Sequence, residues 1–253
     1  MTEAALRPSG AELLEVRRLR LVEGAVPRVP ADELVVMNRA WDEAVRANPS
    51  LFDGPVASCA GMEREGPDGL VLSWVRTTYR LYALRLVPGA TSWLPNLFVS
   101  VAQPTDDGRL LVGRMSPSTA DPGRWQLPGG SVEPPEECAV IDEAVLRRNA
   151  ARELAEETGV ETAPGDLTRW LVTREGNGNV GVLFLAPRRP ERFLRERFAA
   201  VVSRERARGR DPELDRIALV GSPAGLARLD GPHADHLEPV VRRYRGLLSG
   251  GHA

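Results

Sequence analysis

The chain has 253 residues, of which 42% are hydrophobic and 27% are charged, and its formal net charge is −2. This composition predicts one or two globular domains with a proper hydrophobic core, and no window approaches the roughly 18 consecutive apolar residues of a membrane span. All basic residues are arginine and are balanced by acidic residues, so they do not indicate a nucleic-acid-binding surface.

The first residues, MTEAALRPSG, contain no apolar run of the kind found in a secretory signal. Cys59 and Cys138 lie far apart and form no CxxC pair, which excludes a disulfide framework and a zinc-binding set. We therefore expect a cytoplasmic bacterial protein.

The first 92 residues are predicted to form a small α+β domain. A weak strand within 11–30 precedes a helix for which Asp32 is a candidate N-cap, and Asn48-Pro49 ends this helix. Trp41 in this helix and Phe52 after it are expected in the core of the domain. Residues 55–65 and 70–87 read as strands on either side of the turn sequence GPDG.

Residues 93–253 are predicted to form a second domain in which strands alternate with helices. Strands at 97–102 and 109–114 read as a hairpin, and an acid-rich helix ends at Gly159. Further strands are predicted at 167–173, 180–186 and 217–220, and further helices at 191–206 and 235–248.

The acid-rich helix carries Glu153, Glu156 and Glu157 at positions i, i+3 and i+4, so their side chains share one face. Leu146 and Leu154 belong to an apolar stripe on the other side, and we expect the acids to point away from the core. Such a cluster is either an ordinary solvated surface or a site for a hard divalent cation, which prefers oxygen ligands.

The segment RELAEETGV at 152–160, preceded by Gly130 and Glu136, resembles the Nudix box of the Nudix hydrolases. The resemblance implies an α/β/α sandwich with a mixed sheet, here preceded by the small α+β domain. The spacing departs from the family, because fifteen residues separate Glu136 from Arg152 where the family has seven. The added residues predict either an extended helix start or a loop ending at Asp142, which is a candidate N-cap.

The same resemblance implies roles for the residues of the box. Mg²⁺, or alternatively Mn²⁺, would be held by Glu153, Glu156, Glu157 and the backbone carbonyl of Gly129. Glu156 and Glu157 would be catalytic, with Glu156 serving as a ligand or as the base, and Arg152 would orient the carboxylates. Gly130 and Glu136 would be supporting residues.

The N-terminal domain resembles that of the animal UDP-glucose pyrophosphatase, a Nudix branch that also has an expanded box. The similarity lies at 41–55, where a tryptophan-acid helix runs into a Leu-Phe-Asp turn, and at 78–82. It implies substrate contacts from Tyr79 and Arg80, which are predicted to alternate along a strand. Arg114 and Glu213 are further candidates, each with a surface ion pair or polar turn as its alternative.

The predicted function is therefore hydrolysis of a UDP-sugar to UMP and a sugar 1-phosphate. The alternatives are hydrolysis of ADP-ribose, a nucleoside triphosphate or a biosynthetic nucleotide intermediate, or a Nudix domain that senses a ligand without turnover. The only partner expected besides this small nucleotide substrate is a second copy of the chain, in a homodimer. His233 and His236 are interpreted as loop or cap histidines, since no third metal ligand is evident.

Overall fold

A computed structural model describes residues 10–136 and 140–250. The strands are β1 (Glu12–Leu14), β2 (Arg18–Glu23), β3 (Pro55–Glu65), β4 (Gly69–Thr78), β5 (Leu97–Ala102), β6 (Leu110–Met115), β7 (Trp125–Gln126), β8 (Gly129–Ser131), β9 (Thr168–Arg174), β10 (Val180–Leu185) and β11 (Leu214–Val220). The helices are α1 (Ala31–Ala47), α2 (Tyr79–Tyr82), α3 (Glu143–Thr158), α4 (Glu191–Ala207), α5 (Pro223–Leu226) and α6 (Leu237–Gly250), with short 3₁₀ turns at Ala83–Leu86 and Pro164–Asp166.

The centre of the protein is a five-stranded mixed sheet in the order β1-β9-β10-β5-β8, in which only β5 and β10 run parallel. Because side chains alternate along a strand, the sheet has two apolar faces. One face, with Val99 and Val182, packs in a core with Leu146 and Leu154 of α3. The other face, with Leu183, packs against α6. This arrangement confirms the predicted α/β/α sandwich with a mixed sheet.

Strands β11, β6 and β7 form a separate antiparallel sheet. The predicted hairpin between 97–102 and 109–114 is therefore wrong, because β5 and β6 belong to different sheets. The turn itself is present: the backbone N–H of Thr105 donates to the Arg109 carbonyl, and that of Leu111 donates to Gln103. The chain leaves one sheet through this turn and enters the other.

The N-terminal residues form a three-stranded sheet, β2-β4-β3, and the helix α1. Asp32 is not the N-cap of α1; the capping position is Pro30, and Asp32 lies in the first turn, where its charge favours the helix dipole. Trp41 is buried as predicted. Phe52, which was expected in the core, is 76% exposed.

The predicted strand at 70–87 ends early, at Thr78, and the chain continues as α2. The reason is tertiary: the backbone N–H groups of Tyr79 and Arg80 donate to the Gly54 carbonyl and to Oδ1 of Asp53 at 2.9 and 2.8 Å. These acceptors satisfy two of the free donors at a helix start. Tyr79 and Arg80 are therefore helical, and the predicted strand alternation between them is wrong.

The N-terminal residues do not pair only among themselves. Strand β1 lies before the predicted boundary at residue 92 and nevertheless extends the central sheet by pairing with β9. Farther along, the side-chain amide of Asn48, at the end of α1, donates to the carbonyls of Ser118 and Thr119. The division of the chain into 1–92 and 93–253 stays a prediction.

Candidate active site

Helix α3 carries the acidic cluster and begins and ends where its local sequence predicts. Oδ1 of Asp142 accepts a hydrogen bond from the backbone N–H of Val145 at 2.8 Å, which is the geometry of an N-cap. Gly159 ends the helix with φ of 71°, a left-handed conformation that glycine adopts without strain. The predicted cap and the predicted end of the helix are both confirmed.

The acids do not all point into solvent. Glu153 and Glu157 are 8% and 2% exposed and lie against the glycines of β8, whereas Glu156 is solvated. Oε2 of Glu157 accepts a hydrogen bond from the backbone N–H of Gly129 at 2.8 Å. A Cβ on Gly130 would come within 2.7 Å of the Glu153 carboxylate. Glycine is therefore needed here so that the helix carboxylates can approach the β8 backbone.

Arg152 joins the carboxylates into one network. Its guanidinium forms ion pairs with Glu153 at 2.8 Å and with Glu133 at 3.1 Å. It also donates a hydrogen bond to Oε2 of Glu156 at 2.9 Å. Arg152 thus touches residues on both sides of the acidic cluster and fixes their relative positions.

Burial and mutual repulsion disfavour the ionised carboxylates. Burial raises the pKa of Glu153 to about 7; Arg152 opposes this rise, while Glu213 and Glu156 add to it. Burial also raises the pKa of Glu157 well above its usual value, with further contributions from Glu213 and Glu153. Desolvation by the surrounding protein and the negative charge of Glu156 raise the pKa of Glu213. Its side chain is nevertheless accessible to solvent. A cation would relieve this repulsion.

The oxygen donors fit a hard divalent cation such as Mg²⁺. Oε1 of Glu157 is buried and, within the residues described, has no hydrogen-bond partner. In residues 10–136 and 140–250, no three acidic, histidine or cysteine side chains converge closely enough to hold a metal by themselves. Mg²⁺ does not require such a cage, because it usually keeps several waters and binds one or two carboxylates together with substrate phosphates.

The expanded spacing places a different glutamate next to Arg152. Glu136 is exposed, and its backbone carbonyl accepts from Arg76; among the described ion pairs none joins Glu136 to Arg152. Glu133 makes that ion pair, and its backbone N–H donates to Oδ1 of Asn149 on α3. Glu133 therefore lies beside Arg152 in the position expected of a supporting glutamate, while the supporting role of Glu136 stays a prediction.

A cleft of about 1000 Å³ opens beside the carboxylates. Its lining includes Glu153, Glu156 and Glu213, and also residues 50–52 and 54–56 together with α2 and the following turn. The loop between β6 and β7 contributes Ser118 to Asp121 and Arg124. The N-terminal part of the chain thus contributes directly to the cleft.

The predicted substrate contacts lie in different places. Tyr79 lines the cleft, and burial raises the pKa of its hydroxyl to about 12. Arg80 is not among the described residues that line the cleft: it forms an ion pair with Asp53 at 3.1 Å and lies over the Trp41 ring. Its predicted contact with substrate stays a prediction.

Arg114 is likewise bound within the protein and does not line the cleft in the described part of the chain. Its guanidinium makes two parallel hydrogen bonds to Asp215 at 2.8 and 2.7 Å. This pair joins β6 to β11, and β11 begins immediately after Glu213. Arg114 therefore holds the strand that positions Glu213, which does line the cleft.

Sequence reasoning missed a second polar group in the cleft. His236, which was interpreted as a loop or cap residue, is 3% exposed, and its Nδ1 lies 2.8 Å from Oε1 of Glu175. Both residues line the cleft. Glu175 begins the segment EGNGN at 175–179 between β9 and β10, 61 residues before His236, so no local pattern signals the pair.

Two expectations from the sequence concern the cysteines and membrane-spanning segments. Cys59 is a buried free thiol, while Cys138 lies outside the described residues. Within 10–136 and 140–250, no helix is long and apolar enough to cross a membrane.

Comparison with known proteins places a NUDIX domain at residues 96–240. Similar solved structures include the MutT protein from Methanosarcina mazei Go1, with 28% identity over 37% of this chain and 64% of that one, and a TM-score of 0.30. The E. coli ORF135 protein shows 20% identity over 63% of this chain and 96% of its own, with a TM-score of 0.35. A NUDIX hydrolase from Nitrosomonas europaea shows 18% identity over 62% of this chain and 90% of its own, with a TM-score of 0.34. The chain thus spans less than two thirds of the Methanosarcina protein. No curated protein matches the chain.

Proposed function

The chain belongs to the Nudix hydrolase family, and from this premise we propose that it hydrolyses a nucleoside diphosphate joined to a second group, using Mg²⁺ or Mn²⁺. One observation carries the proposal: Glu153 and Glu156 face a cleft of about 1000 Å³ that extends to the N-terminal residues 50–56. Ligand pockets commonly reach this size. The cleft is large enough for both halves of such a substrate.

Cleavage of a phosphoanhydride requires an activated water and neutralisation of the phosphate charge. A bound divalent ion supplies both, by lowering the pKa of a coordinated water and by screening the phosphates. Glu153 and the unpaired Oε1 of Glu157 are the oxygens that we assign to such an ion. Glu156 serves as a further ligand or accepts the proton from water, and Arg152 keeps Glu153 and Glu156 in position.

We further propose a UDP-sugar as the substrate, with UMP and a sugar 1-phosphate as products. The support is the sequence resemblance at 41–55 and 78–82, together with the position of Tyr79 in the cleft. Arg85, Arg124 and Arg210 also line it and offer positive charge to phosphate oxygens.

The test is a panel of UDP-glucose, ADP-ribose and nucleoside triphosphates with Mg²⁺, with the products separated by chromatography. We expect UMP and glucose 1-phosphate from UDP-glucose, and no product from Glu157→Gln. Glu161→Gln, an exposed residue just beyond α3, is the matched control and should retain activity. If ADP-ribose or a nucleoside triphosphate is hydrolysed in preference to UDP-glucose, that compound replaces the UDP-sugar as the proposed substrate. Binding without turnover would indicate a ligand sensor.

A further inference from the structure

The cleft contains a buried acid–histidine pair that the hydrolytic chemistry does not use. Glu175 follows β9, and His236 immediately precedes α6; they are 5% and 3% exposed. Their contact, Nδ1 to Oε1, is 2.8 Å long. Both residues belong to the cleft wall.

The surroundings of Glu175 fix the orientation of the histidine ring. Burial opposes ionisation of Glu175, but the hydrogen bond and charge of His236 and the charge of Arg124 lower its pKa overall. Asn179 donates to the other oxygen at 3.5 Å. An ionised carboxylate can only accept hydrogen bonds, so Nδ1 of His236 donates to Glu175. The other ring nitrogen, Nε2, is therefore left to bond a different group.

This second ring nitrogen is unsatisfied. Nε2 of His236 is buried and makes no hydrogen bond to any residue that the structure describes. An unpaired buried polar atom is unfavourable, and sites built to hydrogen-bond a ligand carry such atoms until the ligand arrives.

The Glu175–His236 pair lies farther along the cleft than the carboxylates of α3. The His236 ring packs against Phe98 with a centroid distance of 5.5 Å and the ring planes tilted by 33°. Phe98 is two residues, or about 7 Å, from Ser100 on the same face of β5, and both line the cleft. Ser100 pairs with Gly129, the residue whose N–H donates to Glu157. A substrate whose phosphates lie at Glu157 would therefore extend its nucleoside or its sugar toward His236.

We propose that His236, oriented by Glu175, recognises the substrate through a hydrogen bond between its Nε2 and a polar group of the nucleoside or the sugar. The inference rests on the proposed function for the identity of the substrate. It adds a specificity residue remote from the acidic cluster.

Two variants separate the recognition role from a structural one. His236→Asn keeps an amide group near Glu175 but lacks a polar atom at the position of Nε2, whereas His236→Gln places its amide group near that position. His233→Asn is the matched control, because His233 is three residues away and is not among the described residues lining the cleft. We expect His236→Asn to raise KM for UDP-glucose at least about tenfold with kcat within about threefold. His236→Gln should recover part of this loss, and His233→Asn should leave KM unchanged.

Calorimetric binding of UDP and of glucose 1-phosphate, each with Mg²⁺, identifies which half of the substrate His236 contacts. We expect His236→Asn to weaken the binding of one of the two probes at least about tenfold. If His236→Asn binds a probe more weakly but the wild type does not hydrolyse UDP-glucose, the recognition role of His236 stands and the proposed function is refuted. Unchanged KM and unchanged binding in an active, folded His236→Asn would overturn the recognition role alone. Failure of both probes to bind the wild type, or unfolding of both His236 variants, would also overturn it.

Discussion

Replacing Glu153 with glutamine should stabilise the metal-free protein at alkaline pH. The Glu153 side chain is 10% exposed, and burial raises its pKa to about 7, with Arg152 opposing and Glu213 adding to the rise. Glutamine has nearly the same shape as a protonated glutamate. Glu153→Gln therefore removes the cost of ionising the buried group without creating a cavity.

The effect depends on pH in a defined direction. Between the ordinary pKa of 4.5 and about 7, folded Glu153 holds a proton that the unfolded chain has released, so wild-type stability falls as pH rises. At 1.36 kcal/mol per pKa unit, the full difference is about 3 kcal/mol. The full difference in unfolding free energy between Glu153→Gln and the wild type is expected at pH 8, whereas at pH 5 the difference is less than about 1 kcal/mol.

Urea unfolding in the presence of EDTA measures this difference at pH 5 and pH 8, with Glu161→Gln as an exposed control. We expect Glu153→Gln to exceed the wild type in unfolding free energy by about 3 kcal/mol at pH 8 and to match it closely at pH 5. Saturating Mg²⁺ at pH 8 should narrow the gap, because the cation stabilises the ionised carboxylate. The same effect at both pH values, or a destabilised variant at pH 8, would refute the reasoning.

Three further predictions concern the cluster and its support. Glu157→Gln should lower kcat at least about 100-fold with an unchanged circular dichroism spectrum, and turnover within a few-fold of wild type in a Mg²⁺ titration would place the metal elsewhere. Glu133→Gln should lower kcat/KM more than Glu136→Gln in steady-state assays, because Glu133 forms an ion pair with Arg152 and Glu136 forms none with it in the described part of the chain; the reverse order would restore the sequence-based assignment. Arg80→Ala should lower the free energy of unfolding by about 1 kcal/mol through loss of its contact with Asp53. If Asp53→Asn raises KM for UDP-glucose as much as Arg80→Ala does, Arg80 acts through the 51–55 turn, whereas a rise in Arg80→Ala alone would indicate direct contact with the substrate.

The sequence by itself determined the features that depend on neighbouring residues. The acidic helix, its Asp142 cap and its end at Gly159 follow from side-chain periodicity and capping chemistry within a few turns. The family and the α/β class were predicted in the same way, because the box is a short pattern and the strands and helices alternate along the chain.

Only the tertiary structure decided which distant residues meet. Glu133 lies beside Arg152 because the chain after β8 is tied to α3 through Asn149. The helical start at Tyr79 depends on acceptors at 53–54, and the Glu175–His236 pair joins residues 61 positions apart. Burial acts in the same way: it turned two acids of an apparently solvated face into carboxylates with raised pKa values. Contacts of this kind depend on how strands and helices pack, which periodicity along the chain does not encode.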